Sequence, residues 1–146
     1  MNLGLHYLSE TEKDSLLIAL AKNLRGFGEV SFAYAYGSFV EECPFRDLDV
    51  GLYLYPQELP DSKFYFEDKI SQELCKKSKL TFPLDVRIIN GASIAFQYHV
   101  IQGRLLMERS EDYRVRIVSH IIARYLDIKP VLEHHTKEAF AVEAEP

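Results

Sequence analysis

Residues Tyr34–Tyr55 have the sequence YAYGSFVEECPFRDLDVGLYLY, which combines apolar runs with an unusual pair of acidic residues. It holds a strand-like run, a Gly-Ser pair, a short polar loop and two aspartates that open a second apolar run. Burying Asp47 and Asp49 among apolar side chains is unfavourable unless something compensates their charge. The stretch therefore predicts two strands joined by the Gly-Ser pair, a short helical turn over FVEE and a polar loop, with a carboxylate site where the second strand begins.

The remaining sequence predicts helices that alternate with strands. Ser9 and Glu12 have the spacing of a capping box, and leucines recur behind them at helical spacing. The predicted elements are a helix from Ser9 to Gly26, strands at 29–36 and 48–55, a helix from Asp61 or Ser62 to about Lys77, a strand at 83–90, and helices at 92–102 and 110–127. This order predicts an α/β layer arrangement.

The composition indicates one soluble domain. The chain has 146 residues, and its 17 basic and 22 acidic side chains give a formal charge of −5, which argues against direct binding of nucleic acid. Cys43 and Cys75 have no disulfide or metal spacing, and no stretch resembles a signal peptide or a membrane span. We expect a cytoplasmic protein without membrane contact, with a domain over 1–128 and a C-terminal tail over 129–146.

Three aspartates are candidates for a metal site. Side chains two residues apart on a strand point to the same side, so Asp47 and Asp49 should present their oxygens together if strand geometry already holds at Asp47. Asp85 lies in the third predicted strand and joins them if that strand runs beside the second. Three carboxylates repel one another without a cation, and Mg²⁺ prefers oxygen ligands. The pattern predicts Mg²⁺ bound by these three aspartates.

The Gly37–Ser38 pair is a candidate phosphate site. A strand that ends in glycine and turns into a helix leaves backbone N–H groups that favour anions. Gly37 allows a phosphate to approach the backbone, and the Ser38 hydroxyl can donate to a phosphate oxygen. Together with a metal at the aspartates, the turn predicts a nucleoside triphosphate site for phosphoryl or nucleotidyl transfer.

The chain resembles the nucleotidyltransferase superfamily of DNA polymerase beta, and in particular its small minimal nucleotidyltransferases. The resemblance rests on a strand, Gly37–Ser38, a loop, Asp47 and Asp49, and Asp85 on a later strand, and it extends over most of the chain. It implies an α/β fold of the polymerase-beta type, a small mixed sheet with flanking helices. It also implies that the Gly-Ser pair holds the triphosphate of ATP, that the aspartates bind Mg²⁺, and that Asp85 helps to deprotonate an incoming hydroxyl.

Many minimal nucleotidyltransferases pair with a HEPN-domain toxin, which implies a partner and an acceptor. The resemblance implies an antitoxin that transfers AMP from ATP to a hydroxyl of the toxin, with a tyrosine hydroxyl as the first candidate. It also implies that antitoxin and toxin form an oligomer. Two other functions stay open: a binding module that neutralises its partner by contact, and nucleotidyl transfer to a small molecule. The chain departs from the family pattern at FVEE (39–42), where a small residue, a basic residue and glycine are usual, and at Arg46, where serine is common.

Other conspicuous residues are expected to be structural. Arg87 lies on the same side of the third strand as Asp85, which favours an ion pair. Four tyrosines of the first two strands are expected to pack in the core, namely Tyr34, Tyr36, Tyr53 and Tyr55. Five arginines near the C-terminus favour a solvated helix face or a surface for an acidic partner, namely Arg104, Arg109, Arg114, Arg116 and Arg124.

Overall fold

The computed structural model describes residues 4–41 and 44–144, with side chains as far as residue 135. In chain order the elements are α1 (Glu10–Leu24), β1 (Val30–Tyr36), α2 (Ser38–Glu41), β2 (Leu48–Leu54), α3 (Lys63–Ser78), β3 (Leu84–Ile88), α4 (Ile94–Ile101), β4 (Arg104–Glu108) and α5 (Glu111–Ala144). A short 3-10 turn at Pro56–Glu58 follows β2.

The four strands form one mixed sheet in the order β3-β2-β1-β4. Strand β1 pairs antiparallel with β2 and with β4, and β2 pairs parallel with β3. Helices pack against both faces of this sheet. The predicted α/β fold with a small mixed sheet and flanking helices is therefore confirmed.

Strand β1 is central, and all seven of its residues are buried. Its small side chains face α1 and α3, in a core that includes Leu20 and Ile70. Its large side chains Tyr34 and Tyr36 face the opposite layer, where they pack with Val100 of α4. The tyrosines of this strand thus have the core role that the sequence predicts.

The predicted helix starts are confirmed by their N-caps. Ser9 and Glu12 form both bonds of a capping box, each at 3.1 Å. The hydroxyls of Ser62 and Ser110 each accept a backbone N–H three residues further on, at 3.2 Å. These caps satisfy donors that the first turn of a helix otherwise leaves unpaired.

The sequence does not predict β4, which pairs with β1 at the edge of the sheet. Leu105 and Leu106 are adjacent apolar residues and break the alternation, and Met107 is the one buried residue of the strand. The chain reaches this edge because Gly103 passes directly over the carbonyl oxygen of Ala35, where any Cβ would overlap it. Glycine at position 103 therefore permits the close approach to β1 at which β4 begins.

Helix α5 does not end near Asp127 as predicted but continues to Ala144. Residues 129–135 are exposed, so no buried apolar stripe marks this part of the helix in the sequence. Pro130 lies inside the helix and removes one backbone donor without ending it. The division into a domain over 1–128 and a tail over 129–146 stays a prediction. Over the described ranges, no helix has the length and apolarity that a bilayer crossing needs.

Lys13 is buried although it carries a charge. It is 4% exposed and lies on the same stripe of α1 as Leu17 and Leu24. Its Nζ donates to the carbonyl oxygen of Phe39 at 2.8 Å and lies 5.1 Å and 5.2 Å from the ring centroids of Phe39 and Phe45. The ammonium group therefore joins α1 to α2, the short helix that begins at Ser38 of the Gly-Ser pair.

We predict that Lys13→Met lowers the free energy of unfolding by about 1–3 kcal/mol, because the buried Phe39 carbonyl loses its donor while the volume is nearly kept. Denaturant unfolding followed by circular dichroism measures the change. Lys22→Met, at an exposed position of the same helix, should change the value by no more than about 0.5 kcal/mol. Equal stability of the two variants would contradict the structural role of Lys13.

Candidate functional site

The pairing of β1, β2 and β3 places three polar side chains in one row. Tyr36 at the end of β1 is opposite Asp49 of β2, and Asp49 is opposite Asp85 of β3. The third strand thus lies beside the second, which is the condition for the predicted convergence of the aspartates. Asp47 precedes the first residue of β2, so it belongs to the incoming loop rather than to the strand.

Mutual repulsion and burial act on the middle carboxylate of this row. Burial, followed by the charges of Asp47 and Asp85, raises the pKa of Asp49 to about 6 from an ordinary value of 3.8, and Arg87 partly opposes the shift. Burial and then the charges of Asp49 and Asp85 also raise the pKa of Tyr36, so its phenol stays protonated near neutral pH. The site therefore concentrates negative charge around a half-buried carboxylate.

Arg87 partly neutralises this charge from the exposed side. Its Nε lies 3.5 Å from Oδ1 of Asp85, and the two side chains are 57% and 43% exposed. The expected ion pair is thus present, but at this length and exposure it contributes little to stability. The Asp85 charge is the main cause that raises the pKa of Arg87.

Gly37 is packed against the same carboxylate. Its φ of +79° lies in the region that favours glycine, and an added Cβ would overlap Oδ2 of Asp49. The turn after β1 and the carboxylate of β2 are therefore in direct van der Waals contact. The structure therefore places Gly37 of the Gly-Ser pair against Asp49, which in turn lies opposite Asp85.

Ser38 is the first residue of α2 and connects the turn to the loop before β2. Its Oγ accepts the backbone N–H of Arg46 at 3.4 Å. The side chain of Arg46 is exposed. Ser38 therefore fixes the loop that delivers Asp47, in addition to any contact with a ligand.

Packing explains one of the departures from the family pattern after Ser38, the large residue Phe39. Phe39, where a small residue is usual, is 1% exposed and packs edge-on against Phe45 with ring centroids 4.7 Å apart. It points into the core, where it meets Lys13, and not toward solvent. Glu41 is exposed at the end of α2, and Glu42 lies outside the described residues.

The chemistry of the three aspartates fits a hard divalent cation, since all their ligand atoms are oxygens and their charges destabilise Asp49 in the absence of a cation. The carboxylates are nevertheless not drawn together tightly. Across the described parts of the chain, no three His, Cys, Asp or Glu side chains are arranged so that they could hold a metal ion. A cation would have to bring Asp47, Asp49 and Asp85 closer together.

A cavity of about 440 Å³ adjoins the row of aspartates at β3. Its lining residues come from α3, β3, the following turn and α4, namely Phe64, Glu67, Asp68, Asp85, Val86, Arg87, Ile88, Ala92 and Phe96. Asp85 and Arg87 therefore face both the carboxylate row and this cavity.

Several contributors to the site are not apparent from sequence motifs. Tyr36 is predicted only as a core residue, although its register with Asp49 is readable once β1 and β2 are paired. The burial of Lys13 could be predicted from the sequence, because Lys13 continues the helical spacing of the buried residues Leu17 and Leu24. Phe64 carries no sequence signal, since its role depends on where α3 crosses β3.

The C-terminal arginines do not form one solvated face. Arg109 donates to the carbonyl oxygens of Val30, Arg25 and Phe27 at 2.7–2.9 Å. Arg114 binds Glu108 and donates to the Tyr34 hydroxyl, and Arg104 pairs with Asp14. Arg116 and Arg124 are exposed on α5 and take part in none of these contacts.

The family model described as polymerase beta nucleotidyltransferase matches residues 19–112, which is more than half of the chain. This range contains Gly37, Ser38, Asp47, Asp49 and Asp85. Comparison with curated protein sequences finds no match.

Solved structures with the same fold include chains from toxin–antitoxin complexes. A chain of the toxin–antitoxin MntA–HepT has a TM-score of 0.66 at 15% identity, with 87% of this chain and 98% of that chain covered. A toxin–antitoxin structure with AMP-PNP has a TM-score of 0.65 at 15% identity, with 88% and 98% covered. A structure of tri-AMPylated Shewanella oneidensis HEPN toxin with MNT antitoxin has a TM-score of 0.57 at 16% identity, with 85% and 98% covered.

We predict that Asp49→Asn stabilises the metal-free protein at neutral pH, because it removes a carboxylate whose pKa folding raises. A raised carboxyl pKa means that stability is lost as pH rises from the ordinary value of 3.8 to about 6. Denaturant unfolding in the presence of a chelator should give a variant more stable than wild type above about pH 7, with the difference shrinking through pH 6 and gone below about pH 4. Asp61→Asn, at an exposed carboxylate, is the control, and a destabilised Asp49→Asn would contradict the electrostatic argument.

Proposed function

This chain belongs to the polymerase beta nucleotidyltransferase family, and we propose on that basis that it transfers AMP from ATP to a hydroxyl of a HEPN-type toxin, in first place a tyrosine hydroxyl, and so acts as an antitoxin. The observation that carries the proposal is the contact between Gly37 and Asp49, with Asp85 opposite Asp49 on the next strand. It joins a candidate phosphate turn and candidate metal ligands in one site. The neighbours with AMP-PNP and with an AMPylated HEPN toxin support the choice of nucleotide and acceptor.

Each residue of the site has a proposed role in this reaction. Gly37 lets a phosphate approach the backbone, and the Ser38 hydroxyl donates to a phosphate oxygen. Asp47, Asp49 and Asp85 would hold Mg²⁺, which when bound neutralises charge on the phosphates and lowers the pKa of the attacking hydroxyl.

The proposed reaction is a displacement at the α-phosphorus of ATP. The acceptor oxygen forms a bond to that phosphorus, the bond to the β-phosphate oxygen breaks, and pyrophosphate leaves. The hydroxyl proton passes to the Asp85 carboxylate, for which the adjacent Arg87 guanidinium is the counter-charge. The products are a toxin with one added AMP, and pyrophosphate.

A second candidate function is neutralisation of the partner by contact alone. The observation that favours it is the chemistry after Ser38, where Phe39 is buried and Glu41 is exposed. No basic side chain of α2 is therefore available to a triphosphate within this short helix. The two functions can be distinguished by mutation. Neutralisation of the toxin by AMP transfer requires the aspartates, whereas neutralisation by contact does not.

We predict that Asp47→Asn and Asp49→Asn each abolish ATP-dependent labelling of the toxin while the proteins remain folded, because each removes one oxygen ligand with its charge. Mass spectrometry of toxin incubated with ATP and Mg²⁺ should show the mass of one or more AMP groups with wild type and none with either variant. Asp61→Asn should label as wild type does. Equal neutralisation of the toxin by wild type and Asp49→Asn would defeat the catalytic proposal and favour the contact function.

We also predict that Gly37→Ala weakens ATP binding by about tenfold or more in the presence of Mg²⁺. The new Cβ would displace the Asp49 carboxylate, and a side chain at a φ of +79° is strained. Calorimetric titration with ATP, with and without Mg²⁺, measures the affinity. Gly28→Ala is the matched control because nothing lies within 4 Å of its added Cβ and its φ is not in the glycine region. Unchanged affinity in Gly37→Ala would exclude the turn from the nucleotide site.

A further inference from the structure

We propose that the cavity beside β3 receives the aromatic side chain that carries the acceptor hydroxyl, a tyrosine of the partner protein. This inference rests on the proposed function and assigns the acceptor side of its site. The cavity measures about 440 Å³ and shares Asp85 with the carboxylate row. This volume is within the range of pockets that take small molecules or single side chains.

The position of the cavity across the sheet assigns it to the acceptor and not to the phosphates. Gly37 follows β1, Asp49 belongs to β2, and the cavity lies at β3, where the sheet ends. The phosphate turn therefore follows β1 and the cavity borders β3, with β2 and its Asp49 between them in the sheet. In an in-line displacement the attacking oxygen and the leaving phosphate are on opposite sides of the phosphorus.

Aromatic side chains form two walls of the cavity. Phe64, in the first turn of α3, is 81% exposed. Phe96 of α4 packs edge-on against Tyr36, with ring centroids 5.9 Å apart. The Phe64 ring packs little within the chain itself, whereas an incoming ring in the cavity would pack against it in a stacked or edge-on geometry.

The charges of the cavity select a neutral ligand over a phosphate. Three carboxylates line it, those of Glu67, Asp68 and Asp85, against the single guanidinium of Arg87. The Glu67 carboxylate accepts the backbone N–H of Ile88 at 2.6 Å, which fixes it beside the strand. A triphosphate would be repelled here, but a phenol carries no charge, and its hydroxyl would lie toward Asp85.

The exposed aromatic pair at the start of α3 provides a matched test. Phe64 lines the cavity, whereas its neighbour Tyr65, which is 71% exposed, does not. Both side chains are large and accessible, so their replacement should leave the fold intact. Phe64→Ala therefore removes a cavity wall, and Tyr65→Ala removes a comparable ring elsewhere.

The experiment is an NMR titration of isotope-labelled full-length protein with N-acetyl-tyrosinamide, repeated with adenosine. We expect N-acetyl-tyrosinamide to shift the backbone amide signals of Phe64, Arg87 and Ala92. We expect its affinity to fall about fivefold or more in Phe64→Ala and to stay unchanged in Tyr65→Ala. We expect adenosine to leave the three signals in place.

Two results would overturn the assignment. The first is that N-acetyl-tyrosinamide shifts none of these signals, or binds Phe64→Ala as tightly as wild type. The second is that adenosine shifts them, which would make the cavity a site for the nucleobase. Neither result depends on turnover, whereas the proposed function is scored separately by AMP labelling of the toxin, so failure of one is distinguishable from failure of the other.

Discussion

The double pairing of β2 is the constraint on which the site depends. This strand runs antiparallel to β1 on one side and parallel to β3 on the other. The C-terminal end of β1 therefore lies next to the N-terminal ends of β2 and β3, so a turn after one strand meets carboxylates at the start of two others. A shift of one residue in the β1–β2 pairing would turn Asp49 into the core that now holds Leu48 and Val50. The same shift in the β2–β3 pairing would turn Asp85 away from Asp49. The apolar face of β2 thus fixes the register, and the register fixes the site.

The site is assembled at a cost to the stability of the fold. Asp49 is held half-buried between two like charges, and an ordinary core would not retain it. The apolar layer formed by α1, α3 and the sheet, with buried Lys13 beneath α2, holds the surrounding backbone in place. Carboxylates whose pKa is raised by burial and by neighbouring like charges are typical of sites where proteins bind cations or carry out catalysis.

The sequence predicts most of the fold because its signals are local. Ser9 caps α1, and the alternation around Asp49 marks β2, so both elements follow from short-range spacing. Strand β4 is missed because its burial does not alternate and its pairing with β1 joins residues far apart in the sequence. Of the site, the motif residues are readable, but the cavity at Phe64 is not, since it arises where α3 and α4 approach β3. Tertiary contacts thus supply what spacing alone cannot.

Pro130 divides α5 into two halves that differ in how they are held. The first half packs on α4 and the sheet, and Tyr98 of α4 stacks on Tyr125 with ring centroids 3.8 Å apart. Beyond Pro130 the described side chains are exposed, and the carbonyl of Leu126 lacks the amide that would continue the ladder. We therefore expect the two halves of this continuous helix to open separately in hydrogen exchange, with the amides after Pro130 exchanging without unfolding of the sheet.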